Sequence, residues 1–323
     1  MSLSEFTLIQ RYFASRGPTR PDVLLGIGDD CALLTLPPGE SLAVTLDLLV
    51  AGNHFLADAD PEGIGHKSLA VNLSDLAAMG ATAAWITLGL SLPAVDEVWL
   101  EGFCRGLFKL AERFQVQLVG GDVTRGPLTI TLQAHGFVPP GLALRRNGAR
   151  PGDVICVTGT LGDAALGLAL ARQQLHDGGD DAVTYLRDRL ERPMPRLRQG
   201  LELRGLASAA IDISDGLAQD LGHILERSGV GACVQVERLP LSPALLACTD
   251  SDSALALALA GGDDYELCFT VPPQRLPQVQ ALALDWDCAL TAIGVIEAGA
   301  GLRCRREDGA VYTLAQPGYD HFA

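Results

Sequence analysis

Basic residues are scarce in this chain. Asp and Glu number 39 against 24 Lys and Arg, a formal charge of 24 − 39 = −15. A surface of that sign repels nucleic acid and anionic membranes, so neither is an expected partner, and a phosphate-bearing ligand must arrive with cations. Paired cysteines are missing too. Cys31, Cys104, Cys156, Cys233, Cys248, Cys268, Cys288 and Cys304 stand singly, mostly in apolar runs, with no CxxC, which reads as core thiols of a reducing compartment and argues against zinc. No apolar run approaches membrane-spanning length, the stretch 254–261 being far too short. Met1-Ser2-Leu3-Ser4-Glu5-Phe6 lacks the basic and apolar sequence of a signal peptide, so the expected location is the cytoplasm. Neither GxxxxGK[ST] nor the HRD and DFG pair of protein kinases occurs, so any ATP is bound by another architecture.

What the chain does have is acid in glycine-rich and turn contexts from end to end: Gly28-Asp29-Asp30, Thr45-Leu46-Asp47, Asn72-Leu73-Ser74-Asp75, Gly120-Gly121-Asp122, Asp212-Ile213-Ser214-Asp215-Gly216 and Gly261-Gly262-Asp263-Asp264. Two bare carboxylates about 4 Å apart repel by roughly 4 kcal/mol at the effective dielectric of a protein surface, so a convergent set of this kind needs cations. Several Mg²⁺ ions holding a nucleotide are the obvious candidates.

A length of 323 residues with 48% hydrophobic content suggests two cores. Strand-like and helix-like stretches alternate: a buried strand over 42–46 ending at Asp47, a helix over 65–79 closed by Gly80, a second long helix marked by Trp99, Phe103, Leu107 and Phe114, then strands over 117–119 and 129–138. The turn at Arg150-Pro151-Gly152-Asp153 divides the chain into 1–150 and 151–323. The second part opens with a strand over 154–157 and a glycine turn into an Ala/Leu helix. The segment 173–198, charged and with Pro193 and Pro195, reads as an exposed excursion. Strands over 209–213, 266–271 and 289–295 follow, with a helix after Asp215. The fold class is α+β in two domains, the carboxylates gathered where they join.

Each acid has a plainer alternative. Asp29 and Asp30 suit a solvated turn as well as a metal site, and Asp47 a strand-ending turn. Gly120-Gly121-Asp122 is also an ordinary turn. Asp215 fits an N-cap, with the neighbouring N–H groups and helix dipole attractive to phosphate. Asp212, at the end of an apolar strand, and Asp75, beside the core stripe of its helix, are harder to assign to solvent. His54 is open between metal ligand, base, phosphate contact and idle turn residue, and Arg145-Arg146 between phosphate binding and simple solvation.

The segments Gly26-Ile27-Gly28-Asp29-Asp30-Cys31-Ala32, Leu49-Val50-Ala51-Gly52-Asn53-His54-Phe55, the run from Asn72 to Gly80 (NLSDLAAMG), Gly120-Gly121-Asp122, Ile211-Asp212-Ile213-Ser214-Asp215-Gly216-Leu217 and Gly318-Tyr319-Asp320-His321-Phe322 closely resemble the thiamine-monophosphate kinase family, in order and over nearly the whole chain. That family belongs with aminoimidazole ribonucleotide synthetase, selenophosphate synthetase and a hydrogenase maturation protein. The resemblance implies an N-terminal α+β domain that dimerises through its sheet, a C-terminal α+β domain, and phosphorylation of thiamine monophosphate by ATP. It also implies Mg²⁺ ligands at Asp30, Thr45, the Leu46 peptide, Asp47, Asp75, Asp122, Asp212 and Asp215. ATP contacts fall at Gly121, Asp122, Arg146 and Ser214, and substrate contacts at His54, Asp263 and Tyr319. Two positions depart from the family pattern. Leu46 replaces a hydroxyl residue, leaving only its carbonyl for metal, and Asp263 replaces Glu in Gly-Gly-Glu-Asp-Tyr-Glu, one methylene shorter.

The expected chemistry is direct in-line transfer to a phosphate oxyanion that is already ionised, with no covalent enzyme intermediate and no strong general base. Rival readings are a related enzyme with another acceptor, a metal-dependent phosphatase using the same acids, and a metal-binding scaffold without a nucleotide site. Selenophosphate synthetase itself would be expected to carry a reactive cysteine in an early glycine-rich loop, and here Cys31 follows Asp30 instead.

Overall fold

The structure is a computed structural model describing residues 4–172, 179–316 and 318–319. The chain divides into two units, Met1–Leu76 with Ala81–Gly141 and Ala77–Gly80 with Leu142–Ala323. Among the described residues no helix is long and apolar enough to cross a membrane.

The first unit runs α1 (Glu5–Tyr12), β1 (Val23–Leu25), β2 (Leu33–Leu34), β3 (Ser41–Val50), α2 (Pro61–Ala78), β4 (Thr82–Leu92), α3 (Glu97–Phe114), β5 (Gln117–Arg125) and β6 (Thr129–Val138). β1 and β2 make a two-stranded ribbon, and the others a sheet in the order β3-β6-β4-β5. Only β4 and β5 in that sheet run parallel. Helix α2 is apolar around most of its circumference and is buried accordingly from Gly63 to Ala78, with Asp75 the single residue of that stretch left partly open. It meets α3 backbone to backbone. A Cβ at Gly65 would lie 2.0 Å from the Phe103 carbonyl oxygen, and one at Gly106 1.8 Å from that of Glu62. The expected C-cap is realised at Gly80, whose φ of +62° closes α2, with Ala81 N–H bonded to the Leu76 carbonyl.

Three expectations change here. β3 does not end at Asp47, because Leu48, Leu49 and Val50 continue the pairing with Thr131, Ile130 and Thr129 of β6. Nor is it buried. As the outer strand it leaves Leu42, Val44, Leu46 and Leu48 between 42% and 54% exposed on one face, while Thr45, Asp47 and Leu49 take the other by the two-residue alternation of a strand. Gly120-Gly121-Asp122 is likewise within a strand, since β5 runs on to Arg125 after a register shift beside Ile86 and Thr87.

The second unit runs β7 (Val154–Thr158), α4 (Asp163–Ala171), α5 (Asp180–Glu191), α6 (Leu197–Glu202), β8 (Ala209–Ile213), α7 (Leu217–Ser228), β9 (Gly231–Gln235), α8 (Pro243–Cys248), α9 (Ser251–Ala260), β10 (Glu266–Val271), α10 (Leu276–Ala283), β11 (Leu290–Glu297), β12 (Gly301–Arg305) and β13 (Val311–Tyr312). Its sheet has the order β13-β12-β9-β11-β7-β10-β8. β7, β8 and β10 read as continuous apolar runs and sit at its buried side. Leu217, Leu221, Ile224 and Leu225 of α7 pack with Ile155, Ile211, Ile213 and Ile293 in one core.

The expected exposed excursion over 173–198 is corrected. Residues 173–178 lie outside the described residues, but α5 follows, with Leu186 and Leu190 buried on a helical spacing. A Cβ at Gly167 of α4 would lie 2.3 Å from the Leu186 carbonyl oxygen. The charges that suggested solvent include Arg189 and Arg196, which point inward to Glu266.

Candidate active site

In the first unit the acids fall into three places. Asp29 and Asp30 are exposed in the turn after β1, where Asp30 N–H bonds to the Asp29 carboxylate at 2.9 Å. Thr45 and Asp47 of β3 face α2, the Thr45 hydroxyl donating to Asp75. The Asp47 carboxyl is pushed up to about 7, first by burial and then by the charge of Asp75. One turn before Asp75, Asn72 Oδ1 is a buried acceptor without a hydrogen-bond partner, while its amide donates to the Ser68 carbonyl at 3.2 Å. Two carboxylates and an unmatched carbonyl-type oxygen on neighbouring positions suit a hard cation, which takes oxygen ligands.

Asp122 is elsewhere. It lies on β5, beside Gly89 of β4, and β3 and β5 are the two edges of the sheet. Three strand spacings separate them, about 14 Å, too far for Asp47 and Asp122 of one chain to share an ion at about 2.1 Å from each oxygen. Consistently, among the described residues no three His, Cys, Asp or Glu side chains are grouped as a metal site. Gly121, just before Asp122, has a φ of +152°, and a Cβ there would lie 1.9 Å from the Leu88 carbonyl oxygen. Only glycine fits, so the strand presents bare backbone at this point. His54 lies in the turn after β3. Its Nδ1 accepts from Val50 N–H at 3.1 Å, which places the proton of a neutral ring on Nε2.

In the second unit one cluster forms at the ends of β8 and α7. Asp212 is buried at the end of β8, opposite Leu267 of β10. Ser214 and Asp215 follow at intermediate exposure. The reading of this loop as an open phosphate cradle is corrected: Asp220 Oδ2 accepts from the N–H groups of Ser214, Asp215 and Gly216, each at 3.1 Å. Nor is Asp215 the N-cap of α7, since Gly216 holds that position without a side-chain cap. Burial pushes the Asp220 carboxyl up to about 7 despite these bonds, and Asp215's charge adds to the rise. Asp220 was legible in principle, three residues after Leu217 and therefore on the buried stripe of α7.

Gly262, Asp263, Asp264 and Tyr265 cross the end of β8. Asp263 N–H bonds to the Ser214 carbonyl and Tyr265 N–H to that of Ile213, both at 2.8 Å. Tyr319 joins the same place, its N–H bonded to the Asp215 carbonyl at 3.0 Å and its carbonyl accepting from Gln219. Asp320, His321 and Phe322 lie outside the described residues. Arg146 is exposed, its carbonyl held by the Ser228 hydroxyl at 2.9 Å.

An α+β pair of this kind, with acids on the strands and a glycine-bearing outer strand, defines a class. Residues 28–138 match the family described as AIR synthase related protein, N-terminal domain, and residues 150–306 its C-terminal domain. Within that class, the thiamine-monophosphate kinase of Salmonella typhimurium is 52% identical over 324 residues, covering 100% of this chain and 99% of the relative. A crystal structure of thiamine-monophosphate kinase from Stenotrophomonas maltophilia K279a is 49% identical, covers 97% and 99% of the two chains, and superposes with a TM-score of 0.88. AaThiL complexed with AMPPCP and TMP is 33% identical, with 92% of each chain covered and a TM-score of 0.78. The chain belongs to the thiamine-monophosphate kinase family.

Proposed function

We propose that the chain transfers the γ-phosphoryl group of ATP to the phosphate of thiamine monophosphate, yielding thiamine diphosphate and ADP. The full-length 52% identity with relatives of that name carries the reading, and the related complex with AMPPCP and TMP supports both substrates. Direct in-line transfer suits an acceptor oxyanion that is ionised at neutral pH. Mg²⁺, when bound, neutralises the approach of two anions. Its proposed ligands are Asp30, Thr45, the Leu46 carbonyl, Asp47, Asp75 and Asp122 in the first unit, and Asp212 and Asp215 in the second. Gly121 offers phosphate its bare backbone, alongside Asp122, Arg146 and Ser214. His54 donates from Nε2 to the acceptor's phosphate, and Asp263 and Tyr319 hold the remainder of that substrate. All eight cysteines are free thiols, which fits the cytoplasm.

The test is chromatographic analysis after incubation with ATP, Mg²⁺ and thiamine monophosphate, with unphosphorylated thiamine in parallel. The expected result is thiamine diphosphate with stoichiometric ADP, from the monophosphate only. ATP loss with another product would move the search to another acceptor, and inorganic phosphate released to water would indicate a phosphatase.

We further propose a homodimer built on the open face of the β3 edge. Leu42, Val44, Leu46 and Leu48 form an exposed apolar row on one strand, flanked on β6 by Thr131, Gln133 and His135, and such a face calls for a cover. A second copy also removes the difficulty of the 14 Å sheet width, since Asp122 of one chain can then serve the cation held by Asp47 of another. Val44→Glu is expected to convert a dimer to a monomer by light scattering and to abolish turnover with every acid intact. An active monomer would refute both statements.

A further inference from the structure

Asp263 and Tyr265 both carry left-handed backbone, with φ of 67° and 50°, a conformation that side chains bearing a Cβ rarely adopt. The segment is held there from several sides. Besides the two N–H bonds to Ser214 and Ile213, the intervening Asp264 is buried and accepts from Gly162 N–H at 2.9 Å. Gly262 passes so close to β8 that a Cβ would lie 2.5 Å from the Ser214 carbonyl oxygen. Strain over-determined by its surroundings in this way marks a segment whose side chains must be aimed. The aim is visible: the Tyr265 hydroxyl donates to Asp263 Oδ1 at 3.0 Å.

We propose that Tyr265 is a positioning residue that orients the Asp263 carboxylate toward the cationic, amine-bearing heteroaromatic end of the acceptor, rather than toward its phosphate. The inference rests on the kinase reading above. A carboxylate meeting a phosphate directly is repelled, whereas thiamine carries a thiazolium charge and an aminopyrimidine donor that a fixed carboxylate matches. The bond also answers the shortened side chain. Asp has one rotatable bond fewer than the family's Glu, so its carboxylate reaches less far and its direction depends on backbone twist and on this phenol.

The test is steady-state kinetics on the full chain with Tyr265→Phe, Asp263→Ala and the double variant, each checked for an unchanged thermal midpoint. Tyr265→Phe is expected to raise the KM for thiamine monophosphate about five- to tenfold, leaving kcat and the KM for ATP within about twofold. In the Asp263→Ala background the same substitution is expected to add nothing, because Tyr265 acts through Asp263. An unchanged KM in Tyr265→Phe, an equal effect in both backgrounds, or a loss confined to kcat would each overturn the proposal. Should Tyr265→Phe unfold the protein, Asp263→Asn replaces it: a selective rise in that KM supports the proposal, and none overturns it. Wild-type protein that makes no thiamine diphosphate would overturn the kinase reading and this inference together, while active wild type with an unaffected Tyr265→Phe overturns this inference alone.

Discussion

Asp47→Asn is expected to lower turnover by about a thousandfold or more while leaving the fold intact. Asn keeps the shape of the side chain and removes its charge, so what is lost is the ability to hold a cation against Asp75. The same substitution separates this from structural damage through stability. In the cation-free wild type the Asp47 carboxyl stands at about 7 against an ordinary 3.8, because it is buried and faces Asp75. A folded value raised above the unfolded one favours the folded state fully below about pH 4, and that contribution is lost as pH rises through about 7. The interval corresponds to about 4 kcal/mol as an upper bound. Cation-free wild type is therefore expected to lose thermal stability between about pH 4 and pH 7, and Mg²⁺ to restore it with an effect that grows with pH. Cation-free Asp47→Asn should be flatter with pH and at least as stable as wild type near pH 8, with little response to Mg²⁺ from this site. A thermal midpoint of the variant well below wild type at pH 8, or turnover within tenfold of wild type, would remove Asp47 from the metal site.

Most of the elements were legible because their hydrophobic periods were unmixed. The strands over 129–138, 209–213 and 266–271 fall where apolar runs between turn residues place them, and α2 shows its end at Gly80. What the sequence misled on has a common cause, charge that serves the interior. Asp220, Arg189, Arg196 and Glu266 look like surface residues by type, yet they are buried or nearly so, Asp220 matched to the N–H groups just before its own helix and the other three to one another across distant parts of the chain. Composition registers the charge and not its partner. Asp47 was legible as a candidate, but its place in the middle of an outer strand depended on pairing with β6, nearly ninety residues later, which no local pattern reports. The width of the sheet between Asp47 and Asp122 is of the same kind: the motifs name the residues, and only strand order shows that one chain cannot bring those two to one ion.

Glu266→Ala is expected to destabilise the second unit by about 3–5 kcal/mol, read as a fall of about 10 °C or more in its thermal midpoint. Glu266 is fully buried. Its Oε1 accepts from Arg196 Nη2 at 2.6 Å and Arg189 Nη2 at 2.9 Å, and its Oε2 from Arg196 Nε at 2.6 Å and the Thr158 hydroxyl at 2.7 Å. Glu266 is the nearest counter-charge of both arginines. Asp163 lies 3.7 Å from Arg189 Nε and Asp287 3.8 Å from Arg196 Nη1, while burial holds the Asp264 carboxyl well above the ordinary carboxylate range. Without Glu266 the two arginines keep only longer contacts, to Asp163 and to the largely exposed Asp287, and lose the close hydrogen bonds that its carboxylate makes with both. The backbone is fitted to this carboxylate as well: Gly159, at a φ of +59°, would place a Cβ 2.1 Å from it. Glu266→Gln, which keeps the shape and two acceptor directions on one oxygen, should cost less than Glu266→Ala, and the loss should respond little to salt because the pair is out of solvent. Activity should fall in step with stability, since Glu266 begins β10 directly after Tyr265 and its anchorage sets where Asp263 is carried. A Glu266→Ala protein melting within a few degrees of wild type would show that the arginines relax to solvent and that this network does not hold the unit together.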